Sequence, residues 1–234
     1  NNGFTMQHLW KSNAEQQKFV VSYSGGKDST LALYHAMQVG TAIGLIVMLE
    51  EHGLCSHSHA MPLEIIHAQA EALGLPILSA ASNWDNYQTE FLNLLAQIKQ
   101  HGAETLVTGD LDMPEHGCWH ERMTQHAALK LCMPLWQRAH AEVIREFIAL
   151  NFKSMIVTVN LKLGMRIEDL GKILTLDYIQ TLEQRGIDPC GEGGEFHSTV
   201  LDGPIFKRAI CVRQGEIIRH EHYAFLTLQL DHAL

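Results

Sequence analysis

Residues 20–30, Val-Val-Ser-Tyr-Ser-Gly-Gly-Lys-Asp-Ser-Thr, constrain this chain more than any other stretch. An apolar run with β character turns on Gly25 and Gly26, then passes into the helical pattern Leu31-Ala32-Leu33-Tyr34-His35-Ala36-Met37. Strand, glycine turn, helix is how a backbone presents amides to a phosphate. The first N–H groups of a helix have no partner within it, and its dipole places partial positive charge there. Glycine permits positive φ and close approach of a ligand. Ser24 and Ser29 add hydroxyls, and Lys27 adds a cation.

A Walker A loop needs a glycine five positions before its Gly-Lys pair and Ser or Thr directly after the lysine. Here those positions hold Val21 and Asp28, so that motif fails. Ser24-Gly25-Gly26-Lys27-Asp28-Ser29 resembles instead the PP-loop of the adenine nucleotide alpha-hydrolase superfamily. The resemblance implies that Tyr23, Ser24, Gly25, Gly26, Lys27, Asp28, Ser29 and Thr30 bind ATP by its pyrophosphate end and leave the α-phosphorus open to attack. A glycine turn without a ligand is the plainer alternative.

The chain has 234 residues, enough for one large domain or a domain with an appendage. Its 46% hydrophobic and 18% charged content describes a soluble globular protein with ample core. A net charge of −9 argues against a general nucleic-acid binder, because phosphate contacts need basic surface. The 5 cysteines are scattered, with no Cys-x-x-Cys, which suits a reducing cytoplasm. No apolar run reaches membrane-spanning length and no signal peptide is visible. Residue 1 is Asn, and Met6 is a candidate natural start.

Taken in order, residues 1–17 read as a flexible lead-in. Strands are expected at Lys18–Tyr23, Ile43–Leu49, Pro76–Ala80, Glu104–Thr108, Cys132–Trp136 and Lys153–Asn160. Helices are expected up to Val39 with a stop at Gly40, over Pro62–Leu73, on the stripe Tyr87, Phe91, Leu94, Leu95 and Ile98, over Trp119–Leu131, and over Glu142–Leu150. This alternation predicts an α/β fold, a PP-loop (HUP-like) doubly wound parallel sheet over residues 18–150. A smaller C-terminal α+β region should fill residues 151–234. It would hold a helix over Thr175–Arg185, a glycine-rich loop over Asp188–Gly194, and a ribbon of Phe206–Arg213 and Glu216–Leu230 turning at Gln214-Gly215. An exposed ribbon edge can pair subunits of a homodimer.

Open parallel sheets bind ligands outside the C-terminal ends of their strands. There the PP-loop, Leu49–His59 and Gly109-Asp110 should converge. Backbone near Met48 can read adenine. Asp110 ends a strand and is a site candidate, with a loop-capping carboxylate as the alternative. Trp119 and Arg122 share a helix face, and Arg122 can pair with a substrate carboxylate or phosphate or make an ordinary surface ion pair. Glu50, Glu51, His52, Cys55, His57 and His59 contain metal-ligand types, but their spacing matches no zinc signature.

The tail Asp188-Pro189-Cys190-Gly191-Glu192-Gly193-Gly194-Glu195-Phe196-His197-Ser198-Thr199-Val200-Leu201-Asp202-Gly203-Pro204 is distinctive. Together with Ser24–Ser29 it resembles the diphthine–ammonia ligase family. His59-Ala60-Met61-Pro62, Gln69–Pro76, Gly109-Asp110 and Pro134-Leu135-Trp136 fit the family too. Its eukaryotic and archaeal members amidate the carboxylate of diphthine on translation elongation factor 2, using ATP and ammonium. This chain is similar to the shorter bacterial members, for which a corrinoid carboxylate has been suggested as acceptor.

The resemblance implies ATP and Mg²⁺ as cofactors, with Gly109 beside the nucleotide; Asp28 can hold the metal or orient the loop, a helix N-terminal carboxylate favoured by the dipole being the plainer alternative. Catalysis would fall to Lys27, Asp110, Glu192, Glu195 and His197. The acceptor would meet His59, Trp119, Arg122, Gly193 and Gly194. A carboxylate would attack the α-phosphorus to give an acyl-adenylate, and ammonia would displace AMP. Glu192 and Glu195 can bind ammonium, orient the acceptor or act as general base, while His197 can shuttle a proton. A tight turn with solvated acids is the plainer alternative. A tRNA-modifying PP-loop enzyme and a nucleotide sensor without turnover are the competing functions.

Overall fold

The structure is a computed structural model that describes residues 10–52 and 61–232. The chain divides into two compact units. The first comprises Asn1–Ser24, Asp28–Leu63 and Gly74–Arg138. The second comprises Gly25–Lys27, Glu64–Leu73 and Ala139–Leu234.

The first unit is built on a parallel sheet of strands β1 (Lys18–Ser22), β2 (Thr41–Leu49), β3 (Ile77–Ala81), β4 (Thr105–Val107) and β5 (Lys130–Cys132). Helices α1 (Lys27–Met37), α2 (Leu63–Leu73), α3 (Tyr87–Gln100) and α4 (Pro114–His126) connect successive strands. The strand order is β3-β2-β1-β4-β5. Sequence and space therefore part company between β1 and β4, and that reversal opens a crevice at the strands' C-terminal ends. This is the α/β PP-loop architecture expected.

The central strands form because they are continuously apolar. Phe19, Val20 and Val21 of β1 and Leu45–Leu49 of β2 are all buried, as in strands covered on both faces. Val20, Ile46 and Leu106 pack with Phe91, Leu94, Leu95 and Ile98 of α3 and Met123 of α4. Those α3 positions repeat at helical spacing, and each such burial stabilises the fold by about 2 kcal/mol. Leu95 is fully buried, so Leu95→Ala would cost about 3 kcal/mol.

Residues 10–17 are not the loose lead-in expected. Trp10 sits edge-on to Trp136 at 5.5 Å. Asn13 donates to the Leu131 carbonyl at 2.8 Å and accepts at its own carbonyl from Thr105 Oγ1 at 2.8 Å. An apolar indole ahead of the first strand has more to gain from burial than from solvent.

The second unit carries an antiparallel sheet of order β7-β6-β9-β8, from β6 (Lys153–Asn160), β7 (Phe196–Asp202), β8 (Val212–His220) and β9 (Tyr223–Leu230). Helices α5 (His140–Ala149) and α6 (Leu176–Gln184) belong to it. The boundary thus falls at Arg138/Ala139 rather than near residue 150, and α2 contributes residues 64–73. β7, between the expected glycine-rich loop and the expected ribbon, is a strand to which the sequence pattern assigned no element. The ribbon turns at Glu221-His222, with Glu221 at φ 55°, and not at Gln214-Gly215. Gly215 lies inside β8, where a Cβ would come within 2.5 Å of Thr227 Oγ1, beside a register shift between Gln214 and Ile217. That glycine marks a bulge under close packing.

A charged staple fastens α6. Arg185 meets Asp169 Oδ2 at 2.7 Å and Oδ1 at 3.0 Å, and Tyr178 donates to Oδ1 at 2.5 Å. Burial raises the Asp169 carboxyl, but the Arg185 and Tyr178 hydrogen bonds outweigh it and hold the group below the usual carboxylate range. Among the described residues, no helix is long and apolar enough to cross a membrane.

Candidate active site

In the first unit the chain leaves β4 through Thr108 to Gly109, which packs against the opening turn of α1. The contact is close enough to demand glycine. A Cβ on Gly109 would stand 2.7 Å from both the Asp28 carbonyl carbon and the Ser29 nitrogen. Ser24 N donates to Ser29 Oγ at 3.2 Å, and the two hydroxyls lie 3.0 Å apart. Both serines therefore face the start of α1, where helix amides lack internal partners. Gly25 takes φ +82°, which glycine alone tolerates easily, whereas Gly26 has no positive φ. Asp28 lies half-buried in the first turn of α1 and offers carboxylate oxygen, the donor type a hard divalent cation prefers.

Two expected ligand-binding side chains are structural. Thr30 donates to the Tyr23 hydroxyl at 3.2 Å, and both residues are buried. Burial raises the Tyr23 phenol well above its ordinary range, against a smaller opposing effect of the Thr30 hydrogen bond. The Met48 side chain belongs to the core. Its main chain is another matter. The Ile46 carbonyl accepts from Tyr23 on the β1 side, and the Leu49 carbonyl accepts from Ser82 on the β3 side. Alternation turns the Met48 main chain toward β1, beyond where that strand ends.

Asp110 is deeply placed, and its Oδ2 accepts from Thr108 Oγ1 at 2.6 Å and meets His120 Nδ1 at 2.6 Å. Burial raises its carboxyl, but His120, Thr108 and His116 outweigh that and lower it overall. His120 is a site residue that sequence reasoning missed. The helix was expected to begin at Trp119 but begins at Pro114, so His120 is mid-helix and not in the opening turn. Trp119 packs at a tilt within an aromatic cluster, 4.8 Å from Phe91 and 5.9 Å from Tyr87. Arg122 is exposed on the same helix.

In the second unit, Lys27 lies 4.0 Å from Glu192 Oε1 and 6.0 Å from the centre of the Phe196 ring. The acid-bearing loop thus reaches the lysine of the glycine turn. Asp188, also missed, shapes that loop. Its carboxylate accepts from Cys190 N at 2.9 Å and Glu192 N at 3.3 Å, and meets His140 Nδ1 at 2.7 Å. Gly191 and Gly194 take φ +70° and +84°, letting the chain turn twice within a few residues. Glu195 folds back on its own loop, its Oε2 accepting from Gly193 N at 3.0 Å. His197 is half-buried on β7, in register with Thr158 of β6. His59, Cys55 and His57 lie outside the described residues. Of the remaining acids and histidine in that stretch, His52 N donates to Glu50 Oε2 at 2.8 Å.

Family models for the diphthamide synthase N-terminal and C-terminal domains match residues 17–131 and 139–233. The chain belongs to the diphthamide synthase family. The break between the two matches coincides with the Arg138/Ala139 boundary between the structural units. The chain is 28% identical to diphthine–ammonia ligase from Mus musculus, over 86% of this chain and 85% of the mouse protein. It is 26% identical to that from Homo sapiens over the same shares. The Schizosaccharomyces pombe enzyme is 27% identical over 84% of this chain, which spans 36% of the yeast protein's length. A predicted tRNA methyltransferase subunit from Methanocaldococcus jannaschii has a TM-score of 0.46 at 16% identity, covering 82% of this chain and 100% of that one. Membership places the chain among ligases of the PP-loop fold.

Proposed function

We propose that the protein is an AMP-forming amide ligase that activates a carboxylate with ATP for capture by ammonia. The approach of Glu192 to Lys27 at the glycine turn carries this reading. A carboxylate is a poor acylating agent and must first gain a better leaving group. One of its oxygens attacks the α-phosphorus, and the bond to the β,γ-pyrophosphate breaks with its electron pair leaving on pyrophosphate. Lys27 and the first amides of α1 disperse the charge on that leaving group. Asp28 would hold Mg²⁺, which supplies further charge neutralisation when bound. Ammonia then adds to the acyl carbon, AMP departs, and one proton is lost from nitrogen. Glu192, 4.0 Å from Lys27, takes that proton, with His197 on the same stretch to pass it on.

Asp110, held by Thr108 and His120 beside Gly109, orients the nucleotide side of the site. Main-chain groups at Met48 read adenine. The acceptor is a carboxylate on a small molecule or a modified protein side chain, diphthine being the acceptor named in the relatives. Arg122, exposed on α4, is suited to an anionic acceptor. Incubation with ATP, Mg²⁺, ammonium and a panel of carboxylated acceptors should release AMP and pyrophosphate. Release of ADP and phosphate instead would rule the mechanism out.

A further inference from the structure

The carbonyl of Gly25 is held from two directions. It accepts from Val200 N at 3.0 Å and from Gln69 Nε2 at 3.0 Å. The same Gln69 Nε2 lies 2.9 Å from the Val200 carbonyl and 3.3 Å from Thr199 Oγ1. Gln69 and Thr199 are both 0% exposed. The other end of the carboxamide, Oε1, is buried without a hydrogen-bond partner and faces Gly25, where a Cβ would come within 2.9 Å of it.

That arrangement is costly for packing alone. A buried polar atom left unsatisfied costs about 1–3 kcal/mol. The neighbouring buried positions on α2, Ile65, Ile66, Ala70 and Leu73, are apolar, and an apolar side chain at 69 would avoid the cost. What Gln69 supplies and an apolar residue cannot is a grip on the Gly25 carbonyl. The peptide unit is planar and trans, so its C=O and N–H point in opposite directions. Fixing the Gly25 oxygen toward Gln69 and β7 aims the Gly26 N–H the other way.

We propose that Gln69 is a positioning residue for the nucleotide. Its amide pins the Gly25 peptide so that the amides opening α1 stand ready for the pyrophosphate. Because the same amide holds Thr199 and Val200, it also ties the nucleotide turn to β7, the strand that leaves the Glu192 loop. This rests on the ATP reading above.

Two measurements test it on the full chain: hydrogen exchange of the ligand-free protein, and titration with a non-hydrolysable ATP analogue and Mg²⁺. Gln69→Met keeps the length and removes the donor, and Gln69→Leu serves if the first variant does not fold. Exchange at residues 25–28 should quicken, and the analogue should bind about tenfold more weakly, the scale of one lost hydrogen bond. The melting temperature alone would respond to a purely structural role. Unchanged exchange, or quickened exchange with unchanged affinity, overturns the proposal. In wild type the analogue should slow exchange at residues 196–202 as well as in the turn, and protection confined to the turn also overturns it. Absence of any analogue binding to wild type overturns the ATP reading itself, and the exchange result then still reports whether the pin exists.

Discussion

Gly109 and Ser29 approach so closely that a single methyl group on the glycine would sit 2.7 Å from the serine's backbone nitrogen. The end of β4 and the first turn of α1 therefore share a space that only hydrogen can fill. Gly109→Ala must push backbone against backbone. It should cost about 1–3 kcal/mol in denaturant melts, the usual range for overpacking, and should displace the turn enough to abolish detectable ATP binding by calorimetry.

Lys27→Met should lower AMP formation about a hundredfold, the scale of removing one charge-stabilising group from a site shielded from water. The loss should fall on kcat more than on KM for ATP, since charge on pyrophosphate grows as its bond breaks. A pure rise in KM would show that the lysine only helps to bind.

The two acids of the glycine-rich loop should separate. Glu192 faces Lys27, whereas Glu195 accepts a hydrogen bond from its own loop. Gln in place of Glu195 keeps an acceptor for Gly193 N. Glu195→Gln should therefore stay within about threefold of wild type, and Glu192→Gln should lose about a hundredfold in turnover as a base would. Steady-state rates with ammonium and acceptor saturating check both.

Acid should weaken the fold through Asp169 and Asp110. Both carboxyls are held below their ordinary value in the folded chain, so each contributes stability above the unfolded pKa of about 3.9 that is lost as pH falls below it. Urea melts should show stability dropping below about pH 4. Asp169→Asn should flatten that limb and cost about 3 kcal/mol at neutral pH, because the largely buried Arg185 loses its counter-charge.

Trp119 and Arg122, neighbours on α4, should behave differently. Trp119→Ala removes a ring packed on Phe91 and Tyr87 and should cost about 3 kcal/mol. Arg122→Ala is exposed and should stay within about 0.5 kcal/mol, so any change in acceptor KM reads recognition directly.

The parallel sheet was legible because its signals are local. Unbroken apolar runs such as Leu45–Leu49 separated by helical stripes admit few other folds. The glycine turn was legible because phosphate-binding backbone needs its residues adjacent. What sequence hid was set by partners distant in the chain. β7 reads as polar, with His197, Ser198 and Thr199, yet Ser198 bonds Ser154 of β6 at 2.7 Å and Thr199 bonds Gln69. Gly215 looked like a turn because its reason, Thr227 pressed against it, lies on the next strand. His120 lay hidden behind a helix start misplaced by five residues, since no capping side chain marks Met113. Pro114 in the first turn was the signal available.

The grip of Val200 and Gln69 on the Gly25 carbonyl also has a consequence for synthesis. A chain emerging from the ribosome can assemble the five parallel strands well before β7 exists. The glycine turn nevertheless lacks its anchor on β7 until translation passes residue 200. A nascent or truncated polypeptide would own the parallel scaffold with its turn held by Gln69 alone.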